Sequence, residues 1–393
     1  MELTLFVDHA CNLRCTYCYT GEKLSRPMSS ETMRRAVALA METKPEQLDV
    51  SFFGGEPLLR LDLLEETLAH VEREIAALAE PRPRLRFILN TNGTLIDDCA
   101  IALLKAHRFT VFLSVDGPRD VHDRHRLNVV GGGSHERTLE GARQLREAQI
   151  PFQVMVVYGS DTASRLGDAL RELLPLGAEK IVLSANYRDD WSDACIESLR
   201  EGLADAAGVW AERVRSGAVV PVEPFHTKIL SHLKGGAPCG SRCVLGNGEI
   251  TVTPKGRIYP CPQMVGEDDS DRFVIGDLDT GIDWARAAAL QGRKERSLDT
   301  CASCDLVDRC QSQCGCRQIA LSGELGEITA VLCETEAASI EAADAIAEAL
   351  VAEKVPAFLS YYYQREWSPA PGARLVQLRR RAEAPAIAST AAR

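Results

Sequence analysis

Residues 11–18 read CNLRCTYC, which places Cys11, Cys15 and Cys18 in the spacing C-x₃-C-x₂-C. Three thiolates can bind three irons of a [4Fe–4S] cluster, which ordinarily takes four cysteines. The fourth iron then keeps an open coordination position, and open positions on a metal are where chemistry takes place. The spacing therefore predicts an iron–sulfur centre with room for a further ligand.

A buried strand is predicted over Leu48–Phe53, a short apolar run with β-branched and aromatic residues. The strand is followed by Gly54, Gly55, Glu56 and Pro57. Two glycines permit backbone conformations and a close approach that a Cβ would block. A carboxylate at this place can accept hydrogen bonds from an ammonium group. A plain strand-end turn is the alternative interpretation.

Together these two features resemble the radical S-adenosylmethionine (SAM) superfamily, which has C-x₃-C-x-aromatic-C and a later GGE motif. The resemblance implies that the open iron chelates the amino and carboxylate groups of SAM. It also implies that an electron cleaves the sulfonium, and that the resulting 5′-deoxyadenosyl radical abstracts a hydrogen atom from the substrate. By the same resemblance, the Gly54–Pro57 turn binds the methionine amino group through Glu56, and Tyr17 lies beside adenine.

Strand-like and helix-like segments alternate through the first half of the chain. Six strands are predicted, at Leu3–Val7, Leu48–Phe53, Arg86–Asn90, Thr110–Val115, Phe152–Val157 and Lys180–Ser184. Helices are predicted between them, at Ser30–Met41, Leu61–Ala79, Asp97–Ala106, Thr138–Ala148 and Ala163–Leu174. This alternation predicts the α/β class, with a parallel sheet and crossover helices. The resemblance implies a partial (β/α)₆ radical SAM barrel, whose active site lies at the carboxyl ends of the strands.

Polar residues follow the third and fourth predicted strands. Asn92 lies in the run NTNG, and Ser114 and Asp116 lie in the run SVDG. Both runs resemble strand-end motifs of SPASM-type radical SAM enzymes, which implies hydrogen bonds to the ribose and carboxylate of SAM. Arg126 is placed like the carboxylate-binding arginine of that family, and Leu183 is placed where an apolar residue packs on adenine. Turn chemistry and a surface ion pair are the alternatives.

The C-terminal half contains a second set of cysteines, with Gly256 among them. They are Cys243, Cys261, Cys301, Cys304, Cys310, Cys314 and Cys333, and they match the SPASM signature C-x₉₋₁₅-G-x₄-C, gap, C-x₂-C-x₅-C-x₃-C, gap, C. With Cys239 as an eighth thiolate, the resemblance implies two fully ligated auxiliary [4Fe–4S] clusters, and three clusters in all. It implies Cys239, Cys243, Cys261 and Cys314 for the first auxiliary cluster and Cys301, Cys304, Cys310 and Cys333 for the second.

Structural zinc is the alternative for this second set, because C-x₂-C pairs also bind zinc. Three other cysteines remain. Cys99 and Cys195 are expected to be small buried residues. Cys316, two residues beyond Cys314, can substitute as a ligand, bind a substrate sulfur or have no role. We favour no role.

Composition narrows the classes of function. The net charge of −11 argues against a nucleic-acid partner, whose binding surfaces are normally basic. The sequence has no apolar run long enough to cross a membrane and no signal peptide, so a cytoplasmic protein without a membrane partner is expected. Three regions are predicted: a radical SAM barrel at 1–220, a SPASM domain at 235–340, and a C-terminal helix with a loosely held tail at 341–393.

The resemblance to radical SAM/SPASM enzymes, which include the sulfatase-maturing enzymes, implies a peptide maturase. Such an enzyme oxidatively forms a thioether or carbon–carbon crosslink in a ribosomally made peptide, and auxiliary clusters offer a route for the electrons. The expected partners are a precursor peptide or protein and an electron donor such as flavodoxin or ferredoxin. Only ten residues precede Cys11, so the peptide is expected to be recognised by a separate leader-peptide-binding protein, by the SPASM surface or through a short leader.

Two other enzyme classes stay open. One is a sulfatase-maturing enzyme that oxidises Cys or Ser to formylglycine. In that branch an aspartate follows the cysteine of the G-x₄-C element and acts as a base, whereas here Pro262 follows Cys261. The other is an oxidase or epimerase of a small carbohydrate-like substrate. An iron–sulfur electron carrier, which is not an enzyme, fails to explain the Gly54–Pro57 turn.

Overall fold

The computed structural model describes residues 1–236, 243–295 and 301–363. Its strands are β1 (Glu2–Phe6), β2 (Leu13–Cys15), β3 (Gln47–Phe53), β4 (Arg84–Thr91), β5 (Thr110–Ser114), β6 (Arg126–Asn128), β7 (Phe152–Tyr158), β8 (Lys180–Ala185), β9 (Val222–Glu223), β10 (Glu249–Val252), β11 (Ile258–Tyr259), β12 (Gly276–Asp277) and β13 (Gly281–Ile282). Its helices are α1 (Ser30–Glu42), α2 (Leu61–Ala77), α3 (Asp98–Ala106), α4 (Arg119–His125), α5 (His135–Glu147), α6 (Leu166–Leu173), α7 (Asp193–Arg215), α8 (Phe225–Lys234), α9 (Trp284–Glu295), α10 (Gly315–Ser322), α11 (Ala330–Ala352) and α12 (Pro356–Tyr363).

A nine-stranded sheet organises the described residues. Its order is β11-β10-β1-β3-β4-β5-β7-β8-β9, and all neighbouring strands are parallel except the pair β10 and β11. Six of these strands are the predicted ones, each within two residues of its predicted bounds. Parallel neighbours need long crossover connections, and the helices between the strands supply them. The predicted α/β class with a parallel sheet is confirmed.

The core lies on both faces of this sheet. In β1 and β3, consecutive residues are buried, and Leu3, Leu5, Val50 and Phe52 are fully inaccessible to solvent. Asp49 and Ser51 alternate with the apolar residues of β3 and are also buried, at 8% and 3% exposed, because helices cover a parallel sheet on both faces. The β-branched and aromatic residues of this segment were the signal that predicted the strand.

Side-chain caps set several helix boundaries. Ser29 Oγ accepts a hydrogen bond from Thr32 N at 3.0 Å and begins α1. α5 begins three residues before its predicted start at Thr138, because the carboxylate of Asp123 accepts from Ser134 N and His135 N, both at 2.8 Å. These bonds satisfy amide groups that have no partner within a helix.

The cysteine-rich half of the chain extends the same sheet. The hairpin of β10 and β11 attaches to β1, and Gly256 forms its turn with a φ of +78°. A positive φ of this size favours glycine. The division into regions at 1–220 and 235–340 stays a prediction.

One expectation about the C-terminal part is wrong. The run Tyr361–Tyr363 was expected in a loosely held tail, but it belongs to α12, where Tyr362 is buried with its ring centroid 6.5 Å from that of Trp210. Burying aromatic area against α7 stabilises this helix. Residues 364–393 lie outside the described part. None of the helices in the described residues is long and apolar enough to cross a membrane.

Candidate active site

The first three cysteines lie in the segment between β1 and α1. Within it, β2 pairs antiparallel with β6 and sets Cys15 opposite Arg126. Cys11 and Cys15 are half-buried and Cys18 is exposed. This pairing therefore joins the cysteine loop to the segment that follows β5, where further site residues were predicted.

Gly54 and Gly55 allow the end of β3 to pack directly against the start of the cysteine loop. Gly55 N donates to Asp8 O at 2.8 Å, and Glu56 N donates to Ala10 O at 2.9 Å. A Cβ on Gly55 would lie 2.0 Å from Ala10 O, and Gly54 has a φ of +137°. The close backbone approach thus requires both glycines, whatever ligand the turn binds.

Glu56 is 1% exposed, and its carboxylate lies at the centre of a hydrogen-bond network. The carboxylate accepts from Leu58 N at 3.1 Å, Thr91 Oγ1 at 2.7 Å and Asn92 N at 2.8 Å. An ionised carboxylate has about four acceptor positions, so one remains for a further donor such as an ammonium group. Burial raises the pKa of Glu56 to about 6, although the hydrogen bonds from Asn92 and Thr91 act in the opposite direction.

The side chain of Asn92 is largely used within the protein. Its Nδ2 donates to Asn12 Oδ1 at 2.9 Å, and its Oδ1 accepts from Thr94 N at 3.0 Å and from Thr94 Oγ1 at 2.7 Å. Asn92 Nδ2 also lies 3.8 Å from Cys11 Sγ. These contacts orient the cysteine loop, and a direct contact of Asn92 with SAM stays a prediction.

Tyr17, Asp116 and Arg126 form a buried group beside the cysteine loop. Arg126 Nε and the Tyr17 hydroxyl donate to the same oxygen, Asp116 Oδ2, at 2.9 Å and 2.5 Å. The guanidinium carbon of Arg126 lies 5.4 Å from the centroid of the Tyr17 ring. Arg126 and Asp116 are 5% and 2% exposed, so they are not a surface ion pair.

The orientation of Arg126 leaves part of its guanidinium group free. Among the described residues, only Nε has a side-chain hydrogen-bond partner, whereas Nη1 and Nη2 donate to none. Two parallel N–H groups on one fork are suited to bidentate binding of a carboxylate. The geometry therefore suits the predicted role of Arg126, which the hydrogen bond to Asp116 would orient.

Ser114 and Leu183 are placed on neighbouring parts of the sheet. Ser114 ends β5, is half-buried, and its hydroxyl has no hydrogen-bond partner among the described residues. Leu183 lies in β8, pairs with Val156 and is 6% exposed within the apolar core. The roles of Ser114 at the ribose and of Leu183 at adenine stay predictions.

The environment of the first three cysteines fits thiolate ligands. Leu13 N donates to Cys11 Sγ at 3.3 Å, and Cys18 Sγ lies 3.3 Å from Thr20 Oγ1. Desolvation of its sulfur would raise the pKa of Cys18, but Lys23 and hydrogen bonds from Thr20 outweigh it, and the pKa is lowered. Burial raises the pKa of Cys11 to about 12 and also raises the pKa of Cys15. Hydrogen bonds to sulfur are a feature of protein-bound iron–sulfur clusters. The loop therefore fits a [4Fe–4S] cluster held by Cys11, Cys15 and Cys18.

Within residues 1–236, 243–295 and 301–363, no three His, Cys, Asp or Glu side chains lie close enough together to bind a single metal ion. A [4Fe–4S] cluster sets a different requirement, because each thiolate binds its own iron.

The second set of cysteines is divided into two groups in space. In one group, Cys243 and Cys261 are each close enough to Cys314 for their charges to interact. In the other group, Cys333 interacts in the same way with Cys301 and Cys304. The ligand assignment itself stays a prediction.

The positions of two second-set cysteines relative to these groups stay open. Cys310 is half-buried, and Glu336, Ser312 and Lys228 lie near its thiol. Cys239 lies outside the described residues.

The expectations for two of the three remaining cysteines are wrong. Cys99 is exposed, not buried, because it lies on the outward face of the first turn of α3. Cys195 is only half-buried, near the start of α7, and its Sγ lies 3.2 Å from Ser192 Oγ. Cys316 is half-buried with its Sγ 3.0 Å from Cys314 Sγ.

The sequence interpretation missed Tyr19, which is near cysteines of both regions. Its hydroxyl is close enough to Cys18 and to Cys261 for their charges to interact. Its ring stacks on Phe53 with centroids 6.3 Å apart, and the guanidinium carbon of Arg188 lies 5.3 Å from the ring centroid. Its position directly after Cys18 was the one feature of the sequence that could have identified it as a site residue.

The sequence interpretation also missed a buried charged group centred on Glu336. This carboxylate accepts from Lys228 Nζ at 2.6 Å, Arg317 Nη1 at 2.6 Å and Gln311 N at 2.8 Å. Lys228 is fully buried, and Glu336 is 5% exposed. The group connects α8 and α11 with the segment that contains Cys310 and Cys314. Nothing in the local sequence marks these residues.

Part of the chain matches a known family, and longer segments are similar to curated enzymes. The radical SAM superfamily model matches residues 7–173. The chain is 25% identical over 333 residues to the serine-type anaerobic sulfatase-maturating enzyme of Klebsiella aerogenes, covering 78% of each protein. It is 26% identical over 345 residues to the PqqA peptide cyclase of Gluconobacter oxydans, covering 82% of this chain and 87% of the cyclase.

Solved structures show the same fold. The native sulfatase-maturating enzyme anSMEcpe with bound AdoMet superimposes with a TM-score of 0.74 at 19% identity, covering 88% of this chain and 98% of that one. Streptococcus suis SuiB bound to its precursor peptide SuiA superimposes with a TM-score of 0.56 at 17% identity, covering 81% of this chain and 72% of SuiB.

Proposed function

We propose that this chain is a radical SAM enzyme that oxidatively modifies a ribosomally made peptide. The proposal is supported by the match of residues 7–173 to the radical SAM superfamily model, and by similarity to an anaerobic sulfatase-maturating enzyme and a PqqA peptide cyclase. The observation that most supports the SAM site is the free fork of Arg126, held by Asp116 beside the cysteine loop. The names of the relatives support a peptide as the substrate class, since one is a PqqA peptide cyclase.

The proposed site binds SAM through opposite charges at two points. Glu56 has one acceptor position left for the methionine amino group, and Arg126 presents Nη1 and Nη2 to the methionine carboxylate. Both groups are buried, where low dielectric strengthens charge-assisted hydrogen bonds. Tyr17 and Ser114 are the proposed contacts of the adenosine part.

The proposed ligands of the first [4Fe–4S] cluster are Cys11, Cys15 and Cys18. The chemistry that this cluster supplies when bound is one-electron reduction of SAM. The residues of the chain hold SAM at a fixed orientation next to the three thiols, and the burial of Glu56 and Arg126 limits access of water to the methionine end.

The two further groups of cysteines are proposed to hold auxiliary clusters. A crosslink between two unactivated positions removes two hydrogens from the peptide, and the second electron needs an acceptor. Tyr19 is near Cys18 and also near Cys261, which belongs to the group that contains Cys314. We propose that the peptide binds near Tyr19.

The proposed enzyme needs an electron donor, a means of binding its peptide and a reducing compartment. An electron donor such as flavodoxin or ferredoxin would reduce the first cluster, and a separate protein or the SPASM region would bind the leader of the peptide. The proposed compartment is the cytoplasm, because reduced thiols and clusters persist there.

Formylglycine formation in a sulfatase is the second candidate, supported by the similarity to both serine-type and cysteine-type maturating enzymes. Pro262, which begins a short 3₁₀ turn directly after Cys261, offers no proton-accepting side chain. The observation therefore favours crosslinking over formylglycine formation.

The test is anaerobic incubation of the reconstituted enzyme with SAM, a reductant and the peptide encoded beside its gene, followed by mass spectrometry. We expect loss of a pair of hydrogen atoms from the peptide for each 5′-deoxyadenosine formed. Formylglycine in a sulfatase-derived Cys or Ser peptide, with the neighbouring peptide unchanged, would instead support the second candidate. Absence of 5′-deoxyadenosine under all conditions would refute both.

A further inference from the structure

Cys316 lies outside the SPASM spacing, yet the structure places it within the first auxiliary group. Its Sγ lies 3.0 Å from Cys314 Sγ, and the thiol of Cys243 is close enough to Cys314 for their charges to interact. Cys316 and Cys261 are close enough for their charges to interact. Four thiols, those of Cys243, Cys261, Cys314 and Cys316, are therefore neighbours within the described residues.

Cys316 lies at the start of a helix. Cys314 is the N-cap of α10 and Cys316 is its second residue. The amide of Gly315 lies near the Cys243 sulfur, and the amide of Arg317 donates to the Cys314 carbonyl oxygen at 3.1 Å. A helix N-terminus favours negative charge, and amide donors stabilise thiolates. The site therefore offers sulfur ligands and compensation for their charge at the same point.

The other two cysteines outside the cluster spacings lack such surroundings. Cys99 is exposed on α3, and Cys195 lies next to Ser192 rather than next to another thiol. Cys316 differs from both in its sulfur neighbours. A cysteine with no role would not be expected to lie beside three thiols that are proposed cluster ligands.

We propose that Cys316 is a ligand of the first auxiliary iron–sulfur cluster and completes a four-thiolate set with Cys243, Cys261 and Cys314. A [4Fe–4S] cluster takes four cysteine thiolates, so this set suffices without Cys239. Binding replaces the thiol–thiol contact by a sulfur–iron bond, and the proton of Cys316 passes to solvent without transfer of an electron. The inference rests on the auxiliary clusters of the proposed function.

The experiment uses the full chain with Cys11, Cys15 and Cys18 replaced by Ala, so that only auxiliary iron is counted. Iron, sulfide and zinc per chain are measured after anaerobic reconstitution, together with the EPR spectrum of the reduced protein. Cys316→Ala is compared with Cys239→Ala and with Cys195→Ala, a matched control that removes another half-buried cysteine.

We expect about eight irons per chain in the parent, and a loss of between about one and four irons with an altered EPR spectrum in Cys316→Ala. Cys195→Ala should keep the parent values, and retention of all iron in Cys239→Ala would further support the four-thiolate set. Unchanged iron and an unchanged spectrum in Cys316→Ala would overturn the inference.

Two results separate failure of this inference from failure of the proposed function. A parent chain with no auxiliary iron, or with stoichiometric zinc, overturns the auxiliary clusters and the inference together. A parent chain with full auxiliary iron that is lost only in Cys239→Ala overturns the role of Cys316 and leaves the proposed function standing. Thermal melting of each variant shows whether iron loss reflects unfolding.

Discussion

The two cysteine regions of this chain are assembled in different ways. Cys11, Cys15 and Cys18 lie within eight consecutive residues, and one short strand pair between β2 and β6 positions their loop. The second set spans residues 243–333, and its two groups combine residues that are far apart in the sequence. A local spacing can place the first three thiols, whereas the second set depends on how α8, α10 and α11 pack. Iron binding in the first region should therefore respond only to replacement of its cysteines. Iron binding in the second region should also respond to substitutions that change distant packing.

The largest expected effect comes from removing the proposed cluster ligands of the first region. Replacing Cys11, Cys15 and Cys18 together by Ala should abolish SAM cleavage and lower the iron content from about twelve to about eight per chain. Iron analysis and chromatographic detection of 5′-deoxyadenosine measure the two effects. An iron content that falls to zero would show that cluster assembly in the second region depends on the first. The two cysteine regions would then not be independent.

The next effect tests whether distant packing supports the second region. Lys228→Met leaves Glu336 with Arg317 and Gln311 N as its remaining partners, so the free energy of unfolding should fall by about 3 kcal/mol, the lower end for a broken buried pair. Auxiliary iron should fall while iron bound by the first cysteines is kept. The measurements are chemical denaturation and iron analysis.

A matched control for Lys228→Met is Lys44→Met, at a position whose lysine lies on the surface between α1 and β3. Equal loss of iron from both cysteine regions in Lys228→Met would show general unfolding. No loss from either region would show that the charged group is not needed for cluster assembly.

Within the first region, Glu56→Gln should weaken SAM binding about ten- to a hundredfold. A hydrogen bond to a charged group contributes about 1.5–3 kcal/mol, and a neutral amide cannot attract the ammonium group as strongly. The bound iron should be unchanged. Calorimetric titration with SAM measures the affinity, and an unchanged affinity would show that Gly54–Pro57 is only a turn.

The pH dependence of SAM affinity gives a second readout of the same residue. The pKa of Glu56 is about 6, raised by burial from 4.5, and only the ionised carboxylate attracts an ammonium group. Affinity in the parent chain should therefore weaken as the pH falls through about 6. In Glu56→Gln this part of the pH dependence should be absent, and its persistence would assign the titration to another group.

The smallest expected effect concerns Ser114. Its hydroxyl has no partner among the described residues, so Ser114→Ala should not change folding stability measurably. Loss of one neutral hydrogen bond to SAM is worth about 0.5–1.5 kcal/mol, a two- to tenfold loss of affinity. Thr94→Ser, which keeps a hydroxyl hydrogen-bonded to Asn92, serves as a control for a small change near the site. An identical affinity in Ser114→Ala would remove Ser114 from the proposed site.

Sequence reasoning was most successful where the pattern is local. Each of the six strands was predicted because apolar runs of this length form buried strands in parallel sheets. Ser29 as a cap and Gly256 in a hairpin turn follow from the chemistry of single residues. Such features depend on neighbours within a few positions, which the sequence displays directly.

The same reasoning was least successful for individual side chains. Asn92 and Arg126 were predicted as similar polar contacts of SAM. In the structure, most of the Asn92 side chain is hydrogen-bonded to Asn12 and Thr94, whereas two nitrogens of Arg126 have no hydrogen-bond partner in the part of the chain that is described. Cys99 was expected to be buried and is exposed. Exposure and free hydrogen-bonding capacity depend on partners that are distant in the sequence.

The sequence by itself determined the α/β alternation, the spacing of Cys11, Cys15 and Cys18, and the Gly54–Pro57 turn after β3. Only the tertiary structure decided that Cys314 and Cys316 lie close to Cys243. It also decided that Lys228 donates to Glu336, which is 108 residues away in the sequence. The physical reason is that turns and strands form from short-range backbone preferences and burial patterns. Contacts between distant side chains exist only after the sheet and its helices have packed.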